Sequence, residues 1–148
     1  MFYNYFEVIR SFSSPQLDVL MLLLSYSYII VLPILFYSFF KKKKWKEFLA
    51  LILFSYLFSI TLKHLFKEER PCKEITTTLY CENSYSFPSD HAIVLSSPLL
   101  ILKKKKVYFV WLMFVLFSRV YLMQHYIHDV LAGFIMGICI SYFAKRFF

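Results

Sequence analysis

Glycine is almost missing from this chain: Gly133 and Gly137 are the only two among 148 residues. Charge is also scarce, at 18%, and the nine acidic residues are outnumbered by seventeen Lys and Arg. So few charges beside 59% hydrophobic and 22% aromatic residues exclude an ordinary soluble domain. No low-complexity linker and no internal repeat breaks the chain, so a single domain over residues 1–148 is expected. Met1–Arg10 lacks the basic start of a secretory leader, which argues against a cleaved signal peptide. The net charge of +8 could suit nucleic acid, but the lysines fall in blocks at the ends of apolar runs. That placement points to the lipid bilayer as the partner and away from nucleic acid.

What is present is a series of apolar runs, enough for about five crossings by helices of roughly 20 residues. The expected fold class is all-α: a polytopic membrane helical bundle of about five transmembrane helices plus an N-terminal interfacial helix. Residues Met1–Ser13 mix Phe2, Tyr3, Tyr5, Phe6, Val8 and Ile9 with Asn4, Glu7 and Arg10, the pattern of a helix lying in the interface. Leu17–Phe40 is long enough to span, with Pro33 as a kink, and ends at Lys41–Lys44. Trp45–Phe66 is a second span, and the polar, Pro71-containing stretch Glu68–Phe87 cannot cross lipid. Ser89–Leu102 has 14 residues, about 21 Å as a helix, so its start is expected to sit below the surface in a recess. Val107–Met123 and Tyr126–Ala144 complete the set. Strict alternation puts Lys41–Lys44, Lys46, Lys103–Lys106 and Lys145-Arg146 on one face, which should be cytoplasmic. The opposite face then collects the Glu68–Phe87 loop, the start of the third span and the Arg119–His125 turn.

Three polar clusters meet on that face. In Ser118-Arg119-x5-His125-x3-Asp129, a helix running from His125 would set His125 and Asp129 one turn apart, so that the carboxylate orients the imidazole. Arg119 adds a planar fork suited to phosphate. Such a set suits a nucleophilic histidine attacking phosphorus, although three polar residues could equally mark a membrane–water boundary. In Lys63-x6-Arg70-Pro71, the two cations would share a helix face; end-of-helix cations also snorkel to headgroups. In Pro88-Ser89-Asp90-His91, Ser89 can cap a helix whose free amides attract anions, with His91 on the first turn; the plain alternative is an ordinary cap and a surface histidine.

The ordered triple Lys63…Arg70-Pro71, Pro88-Ser89-Asp90-His91 and Ser118-Arg119…His125…Asp129 resembles the type 2 phosphatidic acid phosphatase superfamily, membrane lipid phosphatases related to vanadium haloperoxidases. The resemblance runs from Lys63 to about Gly137, half the chain, and includes the tail His-Tyr-x-x-Asp-Val-Leu-Ala-Gly-x-x-x-Gly. It departs at Asp90, where the family most often has glycine and relatives similar to undecaprenyl-diphosphate phosphatases have aspartate. It departs also in size, since many relatives have six spans.

The resemblance implies that His125 is the nucleophile, Asp129 its orienting carboxylate and His91 the general acid and later base. Lys63, Arg70, Ser89 and Arg119 would hold the phosphoryl oxygens. No metal and no cofactor are implied; residue types alone would allow His91, His125, His128 and Asp129 as ligands, but the surrounding cations would repel a divalent ion. His128, on a different face from His125, is assigned to the loop or the interface. The implied substrate is a phosphorylated membrane lipid at the periplasmic face of a bacterial inner membrane: lipid A 1-phosphate first, with undecaprenyl diphosphate and phosphatidylglycerophosphate as alternatives. A phosphotransferase of the same superfamily stays open. A catalytically dead scaffold would have lost His91, His125 or Asp129, and all three are present. Cys72 and Cys81 are open to either a disulfide or two thiols, and Cys139 is expected to pack within the last span. Gly133 and Gly137 form a small-xxx-small face for close packing against a neighbouring span, so a monomer is expected over a glycine-mediated dimer.

Overall fold

The computed structural model describes residues 3–74 and 80–148, and among them every regular element is helical. The start of the interfacial segment, Met1 and Phe2, and residues 75–79 of the polar loop lie outside the described residues. Helix α1 (Tyr3–Ser11) forms where the amphipathic pattern places it, but it does more than lie on lipid: Phe6 is buried and its ring sits 5.9 Å from that of Tyr126.

The first long apolar run is two helices, α2 (Pro15–Tyr26) and α3 (Tyr28–Lys41). Ser14 caps α2 by accepting from the Leu17 amide, with Pro15 at the first helical position where its missing N–H costs nothing. The interruption falls at Ser27 and not at the expected Pro33, which stands inside α3. Ser27 Oγ donates to the Leu24 carbonyl at 2.7 Å and accepts from the Trp111 indole at 2.9 Å, so a local backbone competitor and a tertiary partner decide the break.

Helix α4 (Trp45–Phe66) stops at Lys67, which adopts the left-handed conformation (φ 51°) that ends helices. A short helix α5 (Pro71–Glu74) follows, then α6 (Asp90–Ser96), a single 3-10 turn at Leu99–Ile101, α7 (Lys105–Tyr121) and α8 (Ile127–Ala144). Pro98 ends α6 early, since a proline can neither donate to nor fit within a continuing turn. Three helical segments among the described residues are long and apolar enough to cross a membrane: Pro15–Lys41 (α2 with α3), Trp45–Phe66 and Ile127–Phe147. Asp90–Ile101 and the 17-residue α7 are the shorter stretches at the places expected for the third and fourth crossings.

One packing contact fixes the relation between the two halves of the site. Gly133 and Gly137 let α8 press directly on α6: a Cβ at Gly133 would fall 2.8 Å from the Ala92 methyl, and one at Gly137 only 2.6 Å from the Ile93 carbonyl oxygen. The small-xxx-small face thus serves a helix pair within the chain, as the spacing suggests. Buried Ala92, Leu95, Leu112, Val115, Leu116 and Val130 continue this seam into the core. Cys139 lies off that seam and is exposed, contrary to the packing role expected of it.

The lysine blocks gather at one end. Lys44 Nζ donates to the Phe147 carbonyl at 3.0 Å, and Lys42 lines the same cavity as Lys103 and Lys104. The polar motifs lie at the other end, as helix alternation requires.

Candidate active site

Two buried motifs meet through backbone and side chain alike. The Ser89 amide donates to the Asp129 carbonyl at 3.2 Å, tying the start of α6 to the start of α8. His125 precedes α8 and does not belong to it, so the expected one-turn helical spacing is replaced by a bend; Nδ1 of His125 still lies 3.4 Å from Asp129 Oδ2. Asp129 Oδ2 is held by the Tyr126 amide at 2.9 Å and the Ser86 hydroxyl at 2.5 Å, the first contact being the N-terminal cap of α8.

The tautomer of His125 follows from its other neighbour. Arg70 Nη1 lies 3.2 Å from Nε2, and a guanidinium can only donate, so Nε2 is the acceptor and the ring proton sits on Nδ1, facing Asp129. Burial, then the charges of Arg119, Arg70 and Lys63, hold the imidazole pKa well below the ordinary histidine range. His125 is therefore a neutral imidazole with its Nε2 lone pair turned toward a cation.

Three cations surround it, and they come from different places than a single helix face. Lys63 is buried on α4 and donates to the Tyr85 and Ser86 carbonyls, with Asp90 at 3.2 Å. Arg70 lies beyond the left-handed stop at Lys67, so the two do not share a helix; the fold reunites them through the loop, where Arg70 donates to Ser84 and to the Gln124 carbonyl at 2.7 Å. Arg119, near the end of α7, donates to Ser25 Oγ at 2.8 Å. Glu82 joins the two guanidiniums, one carboxylate oxygen to each. Burial alone would raise the Glu82 carboxyl, but Arg119 and Arg70 outweigh it and hold its pKa below the usual range.

His91 stands on the first turn of α6 with its ring edge against Tyr28, 5.0 Å between centroids. Ser89 takes the N-cap position, yet its side chain makes no cap hydrogen bond, which corrects the expected capping role. Among the described residues Ser89 Oγ, His91 Nε2 and Arg119 Nε are buried polar atoms without a hydrogen-bond partner. Buried polar atoms are rarely left so, and three belonging to one site mark where a polar ligand would bind. A cavity of about 380 Å³ adjoins His91, lined also by the charged Glu82 and Asp90 and by the apolar Leu32, Ile52, Val94 and Leu95.

His128 stands apart from this group. Half exposed, it places Nε2 at 2.9 Å from Glu68 and 3.1 Å from Asp129 Oδ1. Among the described residues Glu68, His128 and Asp129 are the one group of three potential metal ligands, and neither His91 nor His125 belongs to it. Cys72 and Cys81 are joined in a disulfide, and the Cys72 amide donates to the Met123 carbonyl, which pins the loop beside Arg70 and Glu82.

All seven residues singled out from the sequence, Lys63, Arg70, Ser89, His91, Arg119, His125 and Asp129, fall within this one region. Glu82, Ser84, Ser86 and Gln124 were missed, because no periodicity marks a loop residue whose partner lies far along the chain.

Fold and site together define a polytopic helical membrane protein with a buried, cation-rimmed histidine site open to an amphiphilic cavity. The chain belongs to the PAP2 superfamily, whose family model matches residues 44–148. It is 34% identical over 127 residues to phosphatidylglycerophosphatase B of Bacillus subtilis and 28% identical over 108 residues to undecaprenyl-diphosphatase of Sulfolobus acidocaldarius. The matches take in 74% and 64% of this chain but only 61% and 52% of those relatives. In structure it resembles the PAP2 type phosphatidylglycerolphosphate phosphatase of Bacillus subtilis, with TM-score 0.79, 25% identity, and coverage of 96% of this chain and 81% of that one. Its fold is also that of LpxE from Aquifex aeolicus, with TM-score 0.80, 23% identity, and coverage of 97% and 93%.

Proposed function

We propose that the protein is a membrane lipid phosphatase that works through a phosphohistidine. The observation that carries this reading is the arrangement of a neutral His125 presenting Nε2 beside Arg70 with Ser89 Oγ, His91 Nε2 and Arg119 Nε unpartnered nearby. His125 Nε2 attacks phosphorus, the bond from phosphorus to the lipid oxygen breaks, and His91 delivers a proton to that oxygen. Water then attacks the phosphohistidine while His91 takes its proton, which releases inorganic phosphate and restores both rings. Lys63, Arg70, Arg119 and Ser89 hold the phosphoryl oxygens and stabilise the charge in transfer. Asp129 keeps the His125 proton on Nδ1 and steadies the positive ring that forms. With three cations supplying the charge, the reaction needs no metal.

The substrate is a phosphorylated lipid whose chain lies along Leu32, Ile52, Val94 and Leu95 while its phosphate reaches His91. We rank phosphatidylglycerophosphate first, because the relative with the higher sequence identity is named for it, ahead of undecaprenyl diphosphate and of the lipid A 1-phosphate expected from the sequence. Phosphate release from the three purified lipids in detergent decides: turnover of none of them would overturn the lipid phosphatase reading. The lysine-rich end faces the cytoplasm of a bacterial inner membrane and the site faces the periplasm. A protease or amine probe applied from outside should accordingly reach the Glu68–Phe87 loop and leave Lys103–Lys106 untouched until lysis.

A further inference from the structure

Glu82 belongs to none of the motifs, yet it holds the central position between the two arginines. Its Oε2 accepts from Arg70 Nη2 at 2.7 Å and its Oε1 from Arg119 Nη2 at 2.5 Å. These are two of the forks that would meet phosphoryl oxygens, and the carboxylate also lines the cavity shared with Asp90 and His91. Two anions cannot use the same two donors, so a bound phosphoryl group and this carboxylate exclude each other.

The surroundings show which of the two gives way. The side chains of Arg70 and Arg119 are 0% and 2% exposed, whereas that of Glu82 is 22% exposed. Without Glu82, Arg70 keeps Ser84 and Gln124, and Arg119 keeps Ser25. The Glu82 backbone is itself pinned, its amide donating to Gln124 Oε1 at 3.2 Å and its neighbour Cys81 bonded to Cys72. Only the Glu82 side chain is placed to swing.

We propose that Glu82 is a specificity-determining residue, an internal competitor whose carboxylate fills the Arg70–Arg119 fork between turnovers, yields to a lipid-anchored phosphoryl group and returns to expel inorganic phosphate. This rests on the assignment of the two arginines to the phosphoryl group. A substrate held also by its lipid chain displaces Glu82, while a free anion with fewer contacts does not. If the fork is open one time in ten, removing the competitor tightens anion binding about tenfold.

The test is the inhibition constant of inorganic phosphate, with orthovanadate as a second anion, in detergent with a turned-over lipid. Glu82→Gln should lower it about tenfold or more, a tightening that mere structural damage would not produce, and Arg119→Lys should raise it. If Arg119→Lys raises the constant but Glu82→Gln leaves it within twofold or raises it, the inference falls and the arginine assignment stands. If Arg119→Lys leaves the constant unchanged, the arginine assignment fails and takes the inference with it. Should Glu82→Gln not fold, Glu82→Asp, which keeps the charge but is too short to reach both arginines, should also lower the constant; a parental or higher value would overturn the proposal.

Discussion

Replacing Gly137 by alanine adds one methyl group in a place where nothing flexible can give way. The new Cβ would stand 2.6 Å from the Ile93 carbonyl oxygen, 2.6 Å from the Ser96 Cβ and 3.2 Å from the Ala92 carbonyl oxygen, all of them backbone atoms or the first atom of a side chain. Ordinary contact begins near 3.4 Å, so α8 and α6 must part by about 0.8 Å. Overpacking of this kind costs about 1–3 kcal/mol. The catalytic effect should be larger than the stability effect suggests. Helix α6 carries His91 and α8 carries Asp129, and the Ser89 amide to Asp129 carbonyl bond spans the same seam. A shift of about 1 Å in reacting groups costs about 100-fold in rate, so kcat should fall roughly 10- to 100-fold. The assay is phosphate release at saturating lipid, paired with thermal unfolding of the purified protein in detergent. Gly137→Ala with parental kcat and parental unfolding midpoint would refute the claim that this contact sets the spacing of the two motifs.

His125→Ala should abolish turnover while the protein still folds and inserts; activity within tenfold of the parent would remove the phosphohistidine. Arg119→Lys keeps the charge but loses the planar fork, and should cost about 100-fold in kcat/KM, measured with the same lipid. Chelators should leave activity intact, and an enzyme silenced by a chelator and restored by a divalent ion would defeat the cation-only account. Because burial and the neighbouring cations depress the His125 pKa, its nucleophilic neutral form persists on acidification, and the acid limb of kcat/KM should lie well below pH 6.5, the alkaline limb reporting loss of the His91 proton. The same depression makes the unfolded chain take up a proton that the folded one refuses, so this histidine's penalty on stability is absent above about pH 6.5 and grows as pH falls below it. An acid limb at or above pH 6.5 would count against a buried, cation-ringed His125.

The sequence by itself determined the fold class and marked the candidate residues of the site, because both rest on local rules. Apolar runs of spanning length and lysine blocks at their ends are read one segment at a time, and the alternation of helices then brings the polar ends together. The ordered spacings picked out Lys63, Arg70, Ser89, His91, Arg119, His125 and Asp129, and Gly133 with Gly137 announced a close helix contact. What only the tertiary structure decided is how those residues are held. The break at Ser27 depends on Trp111, 84 positions away, and Lys63 and Arg70 meet through loop carbonyls because the helix stops at Lys67. Ser86 reaches Asp129 across 43 positions and Glu82 reaches Arg119 across 37. No periodicity encodes such pairings, since a loop residue takes its partner from where the packed helices happen to leave a buried charge or an unmet hydrogen bond, and that is settled only when the helices have packed.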